Sequence, residues 1–78
     1  SRDTIRRVHR DLRDEFAMRA DELQSTIRES LRSAESGAKE GTVEQSRRLT
    51  DVNAELDRLA KLQRRIDAME QSLGKGPS

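Results

Sequence analysis

Residues 36–43 decide the fold, and they read Ser36-Gly37-Ala38-Lys39-Glu40-Gly41-Thr42-Val43. Each of the two glycines costs a helix interior about 1 kcal/mol, so the stretch disfavours one continuous helix of about 70 residues. Glycine also suits the left-handed position that ends many helices. Thr42 followed by Gln45 is a capping-box pattern, which is typical of a helix start. The stretch therefore predicts a turn at about residues 37–42 between two helices.

Apolar residues recur at helical spacing on both sides of this turn. From Ile5 to Ala34 the mean step is about 3.6, the period of a straight α-helix. From Leu49 to Leu73 the mean step is about 3.5, which is heptad-like. We expect helix 1 over residues 3–37, helix 2 over 42–73 and a disordered tail at 74–78, because Gly and Pro end helices.

The start of helix 1 offers two capping side chains. Asp3 and Thr4 precede the periodic segment, and either side chain can accept hydrogen bonds from the free N–H groups of a first helical turn. We therefore expect one of these two residues to cap helix 1.

The two apolar stripes match each other when the chain is folded back about residue 39. Facing positions then have numbers that sum to 78–80, as for Leu12 with Ile66 and Phe16 with Leu62. Equal lengths and a short connection favour antiparallel neighbours. The expected fold is all-α, with two long antiparallel helices forming a coiled-coil-like helical hairpin. Its predicted helix–helix interface consists of Ile5, Val8, Leu12, Phe16, Leu23, Ile27, Leu31, Leu49, Val52, Leu56, Leu59, Leu62, Ile66, Met69 and Leu73.

Composition bounds what such a hairpin can do alone. The 78 residues are 31% hydrophobic and 40% charged, with a net charge of +1 and Phe16 as the single aromatic residue. A core of this size supplies only a few kcal/mol of net stability, so we expect a protein partner or self-association. No apolar run approaches the roughly 20 residues that span a bilayer. We expect a cytoplasmic location, with any membrane association through a parent protein.

The sequence offers no catalytic, cofactor or metal constellation. The absence of Cys excludes disulfides and thiolate zinc sites. His9 is the single histidine and has Arg6 and Arg10 near it, which repel a cation, so it is expected to flank the seam. Residues 36–41 contain Gly and Lys but do not match the phosphate-binding loop GxxxxGK[ST]. We therefore expect a chain that is not an enzyme and binds no cofactor.

An arginine stripe near the N-terminus is the one candidate for anion binding. Its members follow helical spacing and are Arg2, Arg6, Arg10 and Arg13. Such a patch can hold phosphates of nucleic acid or anionic lipid. No aromatic residues interleave with it, and Asp11 and Asp14 lie one turn from arginines, so a surface paired within the helix is the favoured interpretation. Nucleic-acid binding is disfavoured, and membrane contact is expected only indirectly or through this basic end.

Three stretches resemble the C-terminal helices of bacterial dynamin-like GTPases of the mycobacterial isoniazid-inducible type. They are residues 10–16, Arg-Asp-Leu-Arg-Asp-Glu-Phe; residues 20–25, Ala-Asp-Glu-Leu-Gln-Ser; and residues 48–59, Arg-Leu-Thr-Asp-Val-Asn-Ala-Glu-Leu-Asp-Arg-Leu. The likeness spans about residues 5–70. It implies a fragment of a neck or trunk that couples GTP hydrolysis in another domain to membrane remodelling. The nucleotide motifs are absent here, so no catalytic residue carries over.

These observations favour a non-catalytic stalk, neck or assembly element. The alternative is a free-standing coiled-coil adaptor that self-associates and binds a helix of another protein. Binding of nucleic acid or anionic lipid through the arginine stripe is a third hypothesis, from a different class of function.

Overall fold

The computed structural model describes residues 1–35 and 41–74. Helix α1 spans Arg2–Glu35 and helix α2 spans Thr42–Gly74. The two helices pack against each other along a rod that measures 60 × 17 × 16 Å. The predicted all-α helical hairpin is confirmed. The end of the rod that holds Ser1 and Gly74 is called the open end below, and the other end is the turn end.

The N-cap residues of both helices differ from those predicted, although α2 begins at Thr42, the predicted first residue. Ser1 caps α1, because its Oγ accepts from the N–H of Thr4 at 3.3 Å and its carbonyl accepts from the N–H of Ile5 at 3.1 Å. Asp3 and Thr4, the predicted caps, lie inside the helix. In α2 the first backbone bond runs from the N–H of Gln45 to the carbonyl of Gly41 at 3.1 Å, so Gly41 occupies the N-cap position instead of Thr42.

Parts of the predicted turn and tail lie outside the described residues. The turn predicted at 37–42 falls mostly within 36–40, and the side chain of Thr42 in its capping box is also outside the described part. The tail predicted at 74–78 starts one residue too early, because Gly74 belongs to α2.

The core of the hairpin lies toward the open end. Leu12, Leu62 and Ile66 form a buried cluster, against which Phe16 and Met69 pack. Ile66 is the most enclosed of the three, at 4% exposure. The predicted antiparallel partners Leu12 with Ile66 and Phe16 with Leu62 therefore meet in one cluster, called the open-end core below.

A candidate docking face near the turn

The fifteen predicted interface residues divide into three groups by exposure. The buried group is Leu12, Leu23, Leu59, Leu62 and Ile66. The half-buried group is Ile5, Phe16, Val52, Met69 and Leu73. The exposed group differs from the expectation of a closed seam and is Val8, Ile27, Leu31, Leu49 and Leu56, with exposures of 40%, 39%, 60%, 65% and 50%. Four of these five exposed residues lie in the half of the rod nearer the turn.

The spacing of apolar residues in α2 explains why its leucines near the turn are exposed. Regular heptads alternate steps of three and four, but Leu56, Leu59 and Leu62 are separated by two successive steps of three. Such an interruption changes the phase of the stripe. At 100° per residue, Leu56 and Leu49 point about 100° and about 120° away from the mean direction of the buried residues Leu62 and Ile66.

The spacing in α1 produces a similar drift. Leu23, Ile27 and Leu31 follow one another in steps of four, and each such step advances the stripe by about 40° around the helix. Exposure rises along the same three residues, from 7% at Leu23 to 39% and then 60%. Leu31 therefore points about 80° away from the seam that Leu23 still occupies.

Because the helices are antiparallel, the rotations of the two apolar stripes turn both stripes toward the same side of the hairpin. Viewed from the open end, the stripe of α1 rotates clockwise toward the turn and the stripe of α2 rotates anticlockwise. Two facing surfaces that rotate in opposite senses open toward one side. A cleft of about 410 Å³ on that side is lined by the apolar residues Ile27, Leu31, Ala34, Leu49 and Val52. The turn face is defined here as Ile27, Leu31, Leu49, Val52 and Leu56.

Near the turn, polar side chains occupy the positions that face the other helix. Glu55 precedes Leu62 by one heptad, and its side chain is 32% exposed. Arg48 precedes Glu55 by one heptad, with a side-chain exposure of 37%. Ser30 is half-buried in α1 and lines the cleft. The seam near the turn is therefore partly polar, which weakens its closure.

Two ion pairs in the turn-end half of the hairpin form within single helices. Arg32 contacts Glu29 at 2.9 Å, and Arg47 contacts Glu44 at 2.8 Å. Exposed pairs of this kind contribute about 0–1 kcal/mol each. These two pairs therefore add little to the stability of the turn end.

The side that carries the turn face continues toward the open end as a charged surface. His9 Nε2 lies 3.1 Å from Glu70 Oε1, a contact between the helices whose histidine side chain is only 16% exposed. His9 thus flanks the seam, as expected. Helical geometry places Arg2, Arg6 and Arg13 beside His9 on α1, with Arg10 at the rim of this surface.

Acidic residues occupy the same side of α2. Asp67 lies one turn before Glu70 and accepts a hydrogen bond from Gln63 Nε2 at 2.8 Å. The predicted basic patch therefore lies next to carboxylates of the neighbouring helix, and Arg10 itself has Asp11 at 3.7 Å. This side of the hairpin carries one basic and one acidic stripe.

The opposite side of the rod holds a smaller cleft of about 190 Å³, whose lining includes Glu15, Arg19, Arg58, Lys61 and Arg65. Three of its four cations contact carboxylates. Arg19 contacts Glu15 at 3.1 Å, Lys61 contacts Asp57 at 3.0 Å, and Arg58 contacts Glu55. These cations are held within the helices, so the cleft is not a built anion site.

Among the described residues, no group of three or more His, Cys, Asp or Glu side chains could hold a metal ion. Neither described helix includes a segment long and apolar enough to cross a membrane.

Sequence reasoning identified every residue of the turn face but assigned all of them to the closed seam. Their exposure could have been predicted from the spacing of apolar residues. In α2 two successive intervals of three residues surround Leu59, and in α1 successive intervals of four residues follow Leu23. The contact between His9 and Glu70 was missed, although their numbers sum to 79 and so follow the same antiparallel register.

Comparison of the chain with protein families, curated proteins and solved structures finds no match by family model, by sequence or by structure.

Proposed function

We propose that this hairpin is a non-catalytic assembly or stalk element that docks a protein partner on its turn face. The observation that carries the proposal is the cleft of about 410 Å³ between the turn-end halves of the two helices, where Leu31 and Leu49 are 60% and 65% exposed. Large apolar side chains gathered in one open cleft mark an interaction surface more often than scattered ones do.

The energy available from covering the turn face is comparable with the stability of the hairpin. Ile27, Leu31, Leu49 and Leu56 are on average about half exposed. Covering the rest of each side chain contributes about 1 kcal/mol, or about 4 kcal/mol per hairpin. A chain of this length has a net stability of only a few kcal/mol. A partner on this face would therefore stabilise the hairpin as well as bind it.

The shape suits a part that transmits force or fixes spacing. A 60 Å rod with its core at one end and an unfilled apolar face at the other offers two separate attachment regions. The resemblance to helices of dynamin-like GTPases suggests that the parent couples GTP hydrolysis to membrane remodelling, with the hairpin in its stalk. In that case the hairpin is cytoplasmic and reaches a membrane through its parent. The free-standing adaptor remains the alternative, and it uses the same face.

Binding of nucleic acid or anionic lipid by the arginine stripe receives less support. Glu70 is held 3.1 Å from His9 on the same side of the rod, and Asp67 lies one turn away. These carboxylates oppose the approach of a polyanion.

The proposal is tested by asking whether the turn face contributes to folding. The double variant Leu31→Ser/Leu49→Ser is compared with Met18→Ser, which removes an apolar side chain that is 57% exposed on another part of α1. Thermal unfolding is followed by circular dichroism at about 2 µM, because dilution disfavours association between chains. Binding of an apolar fluorescent dye is measured in parallel.

We expect the free energy of unfolding of the double variant to lie within about 1 kcal/mol of the wild-type value, because most of the surface of both leucines is already in water. We also expect it to lose dye binding that Met18→Ser retains. If the double variant instead loses about 3 kcal/mol, as a core truncation does, the two leucines belong to the hairpin's own core and the proposal falls.

A further inference from the structure

We propose that the partner on the turn face is a second copy of this chain, with the two hairpins side by side and both turns at the same end. This inference rests on the proposed function and adds the identity and the orientation of the partner. The two copies are related by a two-fold axis parallel to the rod. The product is a four-helix assembly in which each α1 lies against α2 of the other copy.

The register within one hairpin carries over to such a pair. Leu31 and Leu49 have numbers that sum to 80, and Ile27 and Val52 sum to 79, so each couple lies at one level along the rod. A two-fold axis parallel to the rod keeps every level unchanged. Leu31 of one copy therefore meets Leu49 of the second copy, and the facing helices are antiparallel, as in common helix bundles.

Charge complementarity selects this orientation. On the side that carries the turn face, the half of α1 nearer the open end presents Arg2, Arg6 and Arg13. The same half of α2 presents Asp67 and Glu70. In the proposed pair the basic stripe of each copy faces the acidic stripe of the other, and the two-fold axis forms this contact twice. Arg13 lies at the level of Asp67 of the second copy, since their numbers sum to 80.

The reverse orientation lacks this complementarity. With turns at opposite ends, a pair centred on the turn faces leaves the two open-end halves pointing away from each other. The arginine and carboxylate stripes then face solvent. The net charge of +1 per chain creates little repulsion between copies in either case, so the placement of the stripes decides between the orientations.

The first experiment is a charge exchange across the expected contact, read by sedimentation equilibrium from about 2 to 200 µM. Arg13→Glu and Asp67→Arg are each expected to weaken the dimer by about tenfold or more, because like charges then face each other. The double exchange restores the dimer, since the introduced glutamate of one copy again faces an opposite charge, the introduced arginine of the other. Both positions are exposed in the hairpin, and circular dichroism checks that helicity is retained.

The matched control is Asp14→Arg, which changes the charge by the same amount as Asp67→Arg on an outward surface of α1 away from the turn face. It is expected to leave the dimer unchanged. Weakening by this control to the same extent as by Asp67→Arg, or failure of the double exchange to restore the dimer, would overturn the proposed contact.

A second experiment measures the orientation directly. The chain contains no cysteine, so Gln71→Cys provides a single spin-labelling site near the open end. With both turns at the same end, the two labels lie about 30 Å apart or less, the width of a four-helix assembly. With turns at opposite ends, about twenty residues of helix on each side separate them by about 60 Å. The longer distance would overturn the proposed orientation.

A folded wild-type monomer throughout the concentration range would overturn self-association. It would leave the proposed function intact, with a different protein on the turn face. The stability comparison of Leu31→Ser/Leu49→Ser tests that function independently, so the two failures are distinguishable.

Discussion

The substitution Glu55→Leu should close the seam near the turn. Glu55 lies one heptad before Leu62 and is about two-thirds covered, since its side chain is 32% exposed. A leucine there buries apolar surface worth about 1–2 kcal/mol. The exposed ion pair with Arg58 is lost, at a cost of about 0.3–0.5 kcal/mol. Leucine and glutamate have nearly equal helix propensities, so we expect a net stabilisation of about 0.5–1.5 kcal/mol.

Glu29→Leu is a matched control on the other helix. Glu29 pairs with Arg32 three residues later, just as Glu55 pairs with Arg58, but its side chain is 68% exposed. Because only about a third of a leucine would be covered there, the control should change stability by about 0–0.5 kcal/mol.

Thermal unfolding is followed by circular dichroism at about 2 µM, because dilution disfavours association between chains. A gain of about 1 kcal/mol raises the Tm of a chain of this size by about 4–8 °C. Equal Tm values for the two variants, or a lower Tm for Glu55→Leu than for the parent, would refute the idea that Glu55 holds a seam position.

Three further predictions concern the core, the cap and the contact between the helices. Ile66→Ala removes a side chain that is 4% exposed and should cost about 2–4 kcal/mol, with Ile66→Val costing about 1, as measured by chemical unfolding. Gly41→Asp should stabilise α2 by about 0.3–0.5 kcal/mol, visible as a slightly higher Tm, because an N-cap carboxylate accepts from the free N–H groups and an added Cβ meets no atom within 4 Å. A double-mutant cycle of His9→Ala and Glu70→Ala should give a coupling of about 1 kcal/mol or less, since the glutamate is 51% exposed; a coupling of about 3 kcal/mol would contradict an exposed pair.

The fold was predictable from the sequence because its signals agree with one another. Apolar spacing of about 3.6 in α1, glycines near residue 39 and antiparallel numbers that sum to 78–80 all lead to one hairpin. The same register located the open-end core, where Phe16, Leu62 and Ile66 pack as expected.

The turn face was harder to predict, because the number of apolar residues in a helix does not determine the direction in which each of them points around the helix axis. Leu49 and Leu56 continue the stripe of α2 by count, yet two steps of three around Leu59 rotate them out of the seam. Only one half of the hairpin can keep its apolar stripes facing each other, and packing energy decides which. The open-end half does so, because it holds the larger cluster of buried residues. The cap of α1 was also hard to predict, because the choice between Ser1, Asp3 and Thr4 depends on the residue at which the helix begins.

Hydrogen exchange of the backbone amides at about 2 µM tests most directly whether the two halves of the hairpin differ. We predict the slowest exchange around Leu12, Leu23, Leu62 and Ile66. Markedly faster exchange is predicted in the turn-end residues 27–35 and 43–56, where the seam is polar and the apolar face is open. Uniform protection along both helices at this dilution would contradict the account, because it would mean that the hairpin is closed along its whole length without a partner.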